Sequence, residues 1–245
     1  MEVVLAQLQR VVVSPAQIQD GTITLEKTQS HYLQRVLRLK VGDRFIAMDG
    51  QGQTWLAKIG ETVATIIEPV AVDSELPHWV TLAIALPKGS GFDEVVRQVS
   101  ELGVARIVPI ISERTLLQPN AKKQARWQKI AAEAAEQSER SIVPLIAEPI
   151  QWKKYLQSEP SCGQRFLCWE RGDSPALLDA LPQAAVELAI GPEGGWTTAE
   201  VEAAVAVGYQ PVSLGKRILR AVTAAVAVMA IVAAAQERCT ATGQQ

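Results

Sequence analysis

The chain has 245 residues, and its 24 lysines and arginines stand against 26 aspartates and glutamates, a formal charge of −2; 48% of it is hydrophobic. This composition excludes a disordered, collagen-like or fibrous protein, and the length accommodates two unequal domains. The near-balanced charge excludes nucleic-acid binding by overall charge, so any such binding must use local basic stripes. The 3 cysteines (Cys162, Cys168 and Cys239) are odd in number and form no CxxC pair, and only 2 histidines occur, His31 and His78. Neither a disulfide framework nor a metal site is expected, and the cysteine usage points to a reducing, cytoplasmic setting. The opening MEVVLAQLQRVVV carries an acid at Glu2 and lacks a small-residue cleavage signal, so it does not read as a signal peptide.

Short strand signals come first, at 21–25, 44–48, 54–59 and 62–67, separated by the turn chemistry of Gly42-Asp43, Asp49-Gly50-Gln51-Gly52 and Gly60-Glu61. Such punctuation predicts a small β-barrel. One helix, 31–39, interrupts it. There His31, Arg35 and Arg38 have i, i+4, i+7 spacing and should share one face, with Leu33, Val36 and Leu37 turned away. The polar, proline-containing stretch 68–77 marks a boundary, giving domains at 1–72 and 73–245.

Beyond the boundary the period changes. Residues 80–86 are a continuous apolar run, as a strand buried on both faces requires. A helix over 92–102 follows, with Phe92, Val95, Val96, Val99 and Leu102 on one side and Gly103 closing it. Further strands are expected at 105–111, 165–169, 186–190 and 211–214, and further helices at 121–139, 198–207 and 221–236. Alternating strand and helix predicts an α/β domain with a mainly parallel sheet and helices on both faces. On helix 121–139, Lys122, Arg126 and Lys129 form a second basic stripe continued by Glu133, Glu136 and Arg140. Trp127, Ile130, Ala131 and Ala134 form its buried side. Each stripe suits a phosphate backbone, and equally suits a solvated surface. The apolar run 221–235 is short for a membrane span and reads as a buried helix, covered in part by a second subunit.

The chemistry concentrates in two loops. Gly191-Pro192-Glu193-Gly194-Gly195 follows an apolar strand and precedes a helix start at Thr197 or Thr198, with Glu200 in the first turn. In open α/β sheets ligands bind at such carboxyl ends of strands, and glycine lets the backbone come close to them. The spacing is neither GxxxxGK[ST] nor GxGxxG, and Glu193 would repel a phosphate while tolerating a cationic ligand. The second loop, Leu214-Gly215-Lys216-Arg217-Ile218-Leu219-Arg220, follows the next strand and carries three cations. Two such loops can wall one pocket.

These segments, with HYLQRVLRLKVGD from His31, KGSGFDEVVRQVSELGVARIVPIISERT from Lys88 and RWQKIAAEAAEQSER from Arg126, resemble the SPOUT superfamily of RNA methyltransferases. Within it they resemble the 16S ribosomal RNA uridine N3-methyltransferases. The resemblance covers nearly the whole chain. It implies a PUA-like barrel followed by a knotted α/β domain, a homodimer, S-adenosylmethionine as cofactor, and small-subunit ribosomal RNA as partner.

For the cofactor the resemblance points to Leu167, Gly191, Pro192, Glu193, Gly194, Gly195, Leu214, Gly215, Ile218 and Leu219. For RNA it points to Arg10, His31, Arg35, Arg38 and Lys88; Arg220, which follows the presumed cofactor loop, is the first candidate for catalysis, and the resemblance alone adds Glu136, Gln137 and Arg140. The chain departs from the family's LRxETA-like run, because Val222 stands where an acid is usual; no role of that acid carries over. A neutral imide nitrogen is a poor nucleophile, so N3 methylation needs removal of its proton or stabilisation of the anion on O2 and O4. A guanidinium suits the latter. Two other readings stay open: a nucleotide-binding enzyme, and an RNA-binding assembly factor on the same fold that has lost turnover.

Overall fold

A computed structural model describes residues 8–115, 119, 121–158, 163–170 and 173–242, with side chains through Arg238. Cys162, the first seven residues and the side chain of Cys239 lie outside this description. The chain forms two compact units, Met1–Glu75 with Ala135–Val143, and Leu76–Ala134 with Pro144–Gln245. In place of the single break expected after residue 72, the chain thus re-enters its N-terminal unit late.

The N-terminal unit is a PUA-like half-barrel of β1 (Arg10–Val12), β2 (Ile18–Gln19), β3 (Thr22–Ile23), β4 (Arg44–Met48), β5 (Thr54–Lys58) and β6 (Ala64–Pro69). Their order is β1-β4-β5-β6-β3-β2; β1 runs parallel to β4 and the remaining pairs are antiparallel. Asp49 closes the β4–β5 turn by accepting the N–H groups of Gln51 and Gln53 at 2.8 and 3.0 Å. Alternation sends Phe45, Ala47, Ala57 and Ile59 into a core with Val11, Val13, Ile23 and Leu33. Ile46 and Met48, on the other face of β4, are buried as well.

Residues 135–143 belong to this unit by specific bonds. Glu136 accepts the Val12 N–H at 2.7 Å, Arg10 pairs with Glu139 at 2.7 Å, and Arg140 pairs with Glu75 at 2.7 Å. The same Glu75 carboxylate accepts the N–H groups of Ser141 and Ile142, both at 3.0 Å. Gly50, at φ 71°, sits against Val143, where a Cβ would lie 2.9 Å from Cγ2.

The predicted helix 31–39 is corrected by the structure. An α-helix, α1 (Lys27–His31), starts earlier and passes into a π-helical turn over Tyr32–Val36. Arg38, at φ 59°, is left-handed and ends it. The i→i+5 bonding breaks the simple i, i+4, i+7 face. Leu33 is buried as expected, but Val36 is 58% exposed.

The C-terminal unit is built on seven parallel strands: β7 (Val80–Ala85), β8 (Arg106–Ile111), β9 (Leu145–Ile146), β10 (Ile150–Gln151), β11 (Gln164–Cys168), β12 (Val186–Ile190) and β13 (Tyr209–Val212). The order is β10-β8-β7-β12-β11-β13, with β9 also on β8. β7 and β12 are buried throughout, Thr81 and Glu187 included, as befits strands covered on both faces. The helices are α2 (Gly91–Glu101), α3 (Ala121–Gln137), α4 (Trp152–Leu156), α5 (Leu177–Ala180), α6 (Thr198–Ala206) and α7 (Ala221–Thr242).

Trp152 and Tyr155 of α4 and Val201 and Ala204 of α6 join Ala83, Leu167 and Ala189 in one core cluster. From the edge strand β13 the chain turns back over the sheet, so that α7 packs on β7, β12 and α2. The expected buried side of α3 holds, with Trp127, Ile130, Ala131 and Ala134 all buried. Glu139, at φ 61°, lies just beyond its end.

At the starting ends of the strands, Tyr209 donates a hydrogen bond to the buried Glu187, and the Arg165 guanidinium lies 5.4 Å from the Tyr209 ring. Burial, and then the Glu187 carboxylate, raises the Tyr155 and Tyr209 hydroxyls above their ordinary range.

Candidate active site

The carboxyl ends of β11, β12 and β13 enclose a pocket lined by 168–170, 190–193, 195–196, 214–215, 217–221 and Ala224. Both glycine loops meet there, as parallel topology demands for strand-end loops. Of the ten residues expected at a cofactor, Gly191, Pro192, Glu193, Gly195, Leu214, Gly215, Ile218 and Leu219 line it. The Leu167 side chain is wholly buried in the core, and Gly194 stands outside the lining. Strand alternation explains Leu167: its neighbour Cys168 takes the pocket side.

The glycine loop is held at several points. Gly195 (φ 69°) donates to the Pro192 carbonyl at 2.8 Å, closing a tight turn. Thr197 caps α6: Glu200 N–H donates to its hydroxyl at 3.3 Å, and the Thr197 N–H donates to Glu200 Oε2 at 2.9 Å. Glu193, which lines the pocket, accepts the Lys88 N–H at 2.9 Å through one carboxylate oxygen. Arg114 donates to the Gly194 carbonyl at 2.6 Å.

Wall residues outside the expected set include Trp169, Glu170, Trp196 and Arg217. Glu170 lies over the loop, with Oε1 3.3 Å from where a Cβ on Gly195 would sit. Trp196 packs under Gly191, whose Cβ would meet the indole at 3.1 Å, and stacks on Trp152 with centroids 4.7 Å apart. Its Nε1 is buried without a hydrogen-bond partner among the described residues. Tryptophan beside a glycine loop could have signalled this wall. Burial pushes the Cys168 thiol up to about 12, so it stays protonated near neutrality.

Arg220 lines the pocket at the start of α7, where its carbonyl accepts the Ala224 N–H at 2.8 Å. Val222 is outside the lining; its Cγ2 would lie 3.3 Å from a Cβ on Gly91. The other residues expected for catalysis are not among those lining this pocket. Glu136, Gln137 and Arg140 belong to the N-terminal unit, and Arg140 is 2% exposed in its pair with Glu75. Of the expected RNA contacts, His31, Arg35, Arg38 and Lys88 are exposed. The Arg10 side chain is 11% exposed and engaged by Glu139, so it does not share their presentation to solvent.

Comparison with known proteins agrees with this architecture. Residues 74–233 match the model of an RNA methyltransferase domain, and residues 25–65 match that of an RNA methyltransferase PUA domain. The chain is 49% identical over 231 residues to ribosomal RNA small subunit methyltransferase E of Synechocystis sp., covering 90% of this chain and 76% of that one. To the Bacillus subtilis protein of the same name it is 30% identical over 220 residues, covering 83% and 86%. A crystal structure of the same-named protein from Neisseria gonorrhoeae, bound to S-adenosyl methionine, superposes with a TM-score of 0.84 at 32% identity over 91% of this chain and 96% of that one. By domain content, by identity along nine-tenths of its length and by the fold of both units, this chain belongs to the ribosomal RNA small subunit methyltransferase E family.

Proposed function

We propose that this chain is an S-adenosylmethionine-dependent methyltransferase that methylates N3 of a uridine in 16S ribosomal RNA, acting as a homodimer. The observation that carries the reading is the pocket made by two glycine loops at the ends of neighbouring parallel strands, in a chain of this family. Its wall fits the cofactor chemically. Ile190, Leu214, Ile218 and Leu219 offer apolar contact, Glu170 offers a negative charge, and Trp196 offers a buried N–H donor still lacking an acceptor. The wall has no phosphate-loop spacing.

When bound, S-adenosylmethionine supplies an electrophilic methyl on a sulfonium. Transfer would form the N3–carbon bond and break the carbon–sulfur bond, leaving S-adenosylhomocysteine, with the N3 proton passing to solvent; the protein must supply alignment and a place for the negative charge of the uracil ring. Arg220 is the residue proposed for that charge, because a guanidinium stays protonated and can donate to one uracil carbonyl oxygen while leaving N3 open to the methyl. The target uridine must be splayed out of a helix to expose N3. His31, Arg35 and Arg38 are proposed to hold the RNA backbone, with Lys88 beside the pocket.

The test is calorimetric titration with S-adenosylmethionine, with ATP as control, followed by transfer of labelled methyl to small ribosomal subunits and mapping of the modified base. Selective cofactor binding and a single N3-methyluridine are expected. Preference for ATP would favour a nucleotide-binding enzyme. RNA binding with no cofactor binding and no transfer, even with subunits present, would favour the assembly-factor reading, for which the departure at Val222 leaves room.

A further inference from the structure

Three strand-end loops of the C-terminal unit are tied together by bonds that end on the glycine loop. From the end of β7, the Lys88 N–H reaches Glu193 Oε1 at 2.9 Å. From the end of β8, the Arg114 guanidinium reaches the Gly194 carbonyl at 2.6 Å, and its Cδ would lie 3.2 Å from a Cβ on Gly194. Next to it, the Glu113 N–H donates to Glu200 Oε1 at 2.9 Å, at the start of the helix that the loop feeds. The loop is therefore gripped on both sides at its two central residues. A glycine-rich segment has more backbone freedom to lose than any other, so such grips decide whether it stands ready for a ligand.

We propose that Glu193 and Arg114 are positioning residues for cofactor binding: they fix the glycine loop through hydrogen bonds, and Glu193 acts as an acceptor for the Lys88 main chain, not as the counter-charge of a cationic cofactor. The proposal rests on the cofactor reading of the pocket. Glu193 is the acid that the loop's sequence offers to a sulfonium, yet one of its oxygens faces a backbone donor. An amide in its place keeps an oxygen acceptor and removes the charge. The two roles are thus separable by one substitution. The grip from Lys88 also ties the loop to the segment proposed to meet RNA, so its loss should be felt on both sides of the pocket.

The experiment titrates native protein, Glu193→Gln, Glu193→Ala, Arg114→Ala and the double variant Glu193→Ala/Arg114→Ala with S-adenosylmethionine and with S-adenosylhomocysteine, which lacks the sulfonium charge. Melting temperatures confirm that each variant is folded. Loss of one exposed hydrogen bond should weaken cofactor binding about fivefold to tenfold in each alanine variant. The double variant should lose less than the product of the two, since both act on one loop. Glu193→Gln should recover most of what Glu193→Ala loses, with the native preference between the two ligands. A Glu193→Gln protein as weak as Glu193→Ala, with its preference moved toward S-adenosylhomocysteine, would overturn the proposal in favour of a counter-charge. Alanine variants that bind like native protein would overturn it outright. Native protein that binds neither ligand would instead sink the cofactor reading beneath it.

Discussion

Arg220 closes the second loop and opens α7, so its guanidinium is carried by a helix start and not by a free loop. If it stabilises charge that exists only in the transition state, its loss must appear in turnover and not in binding. Arg220→Ala is therefore expected to slow single-turnover methyl transfer on the order of a hundredfold while changing the cofactor Kd only about twofold; parallel losses in both would remove the catalytic assignment. Cys168 gives a pH prediction. Its folded thiol titrates at about 12 against an ordinary value of 9.0, so above pH 9 the folded state holds more protons than the unfolded one. Stability is then untouched below that window and falls as pH rises through it. With Cys162 and Cys239 replaced by serine, a thiol reagent at pH 8 should label Cys168 far more slowly in the folded protein than in urea; equal rates in both would show the folded thiol to ionise like an ordinary one. At this level the sequence named the backbone of the pocket well, because glycine position is a local property. It gave no hint of the bonds that Glu193 and Arg114 make, because their partners are 105 and 80 residues away in the chain.

The longer elements of the C-terminal unit were readable from periodicity, since a strand buried on both faces and an amphipathic helix each write their pattern into a contiguous run, whereas the short helices α4 and α5 were not. The two-residue strands β2, β9 and β10 were not separable from loops, for two residues carry no period, whereas β3 lies inside the strand expected at 21–25. The π-helical turn was read as α-helix because apolar spacing does not distinguish i→i+5 from i→i+4 bonding over one turn. The exposed arginines on that turn still make a test. If Arg35 and Arg38 each neutralise one phosphate, replacing both by alanine should flatten the log–log salt slope of RNA binding by about 1.4, each contact on a single strand contributing about 0.7. An unchanged slope would mark them as merely solvated. The segment after α3 offers a stability test. Arg140 is 2% exposed and its charge is matched by Glu75, which also accepts two main-chain N–H groups. Glu75→Gln removes the carboxylate that pairs with Arg140 and accepts two main-chain N–H groups, and should cost about 1–3 kcal/mol in urea unfolding of the N-terminal unit; a loss under about 0.5 kcal/mol would show that solvent screens the pair.

The two units answer different demands, one presenting basic side chains and the other building a cofactor pocket, and the chain runs back from the second to the first through residues 135–143. Composition could not show this return, because it is made by individual bonds to Glu75, Val12 and Gly50 and not by a change in residue type. What composition did show is that α7 is too apolar for an ordinary surface helix. Within one chain, Ala225, Val228, Met229 and Val232 are buried, yet only 39% of the window Ala221–Arg238 is covered. Thr223, Ala230 and Ala234 are exposed, and Val222, Val226 and Ile231 are half-buried, so an apolar surface continues along the helix. In the proposed homodimer this surface is covered by the second copy. Sedimentation equilibrium should then give twice the chain mass of 26.5 kDa for the native protein. Ala230→Glu places a charge on an exposed position, so it should leave the fold and melting of the monomer intact while halving the mass at micromolar concentration. A native protein that sediments as a monomer would end the dimer proposal. A variant that stays dimeric would keep the dimer but move its interface off this face of α7.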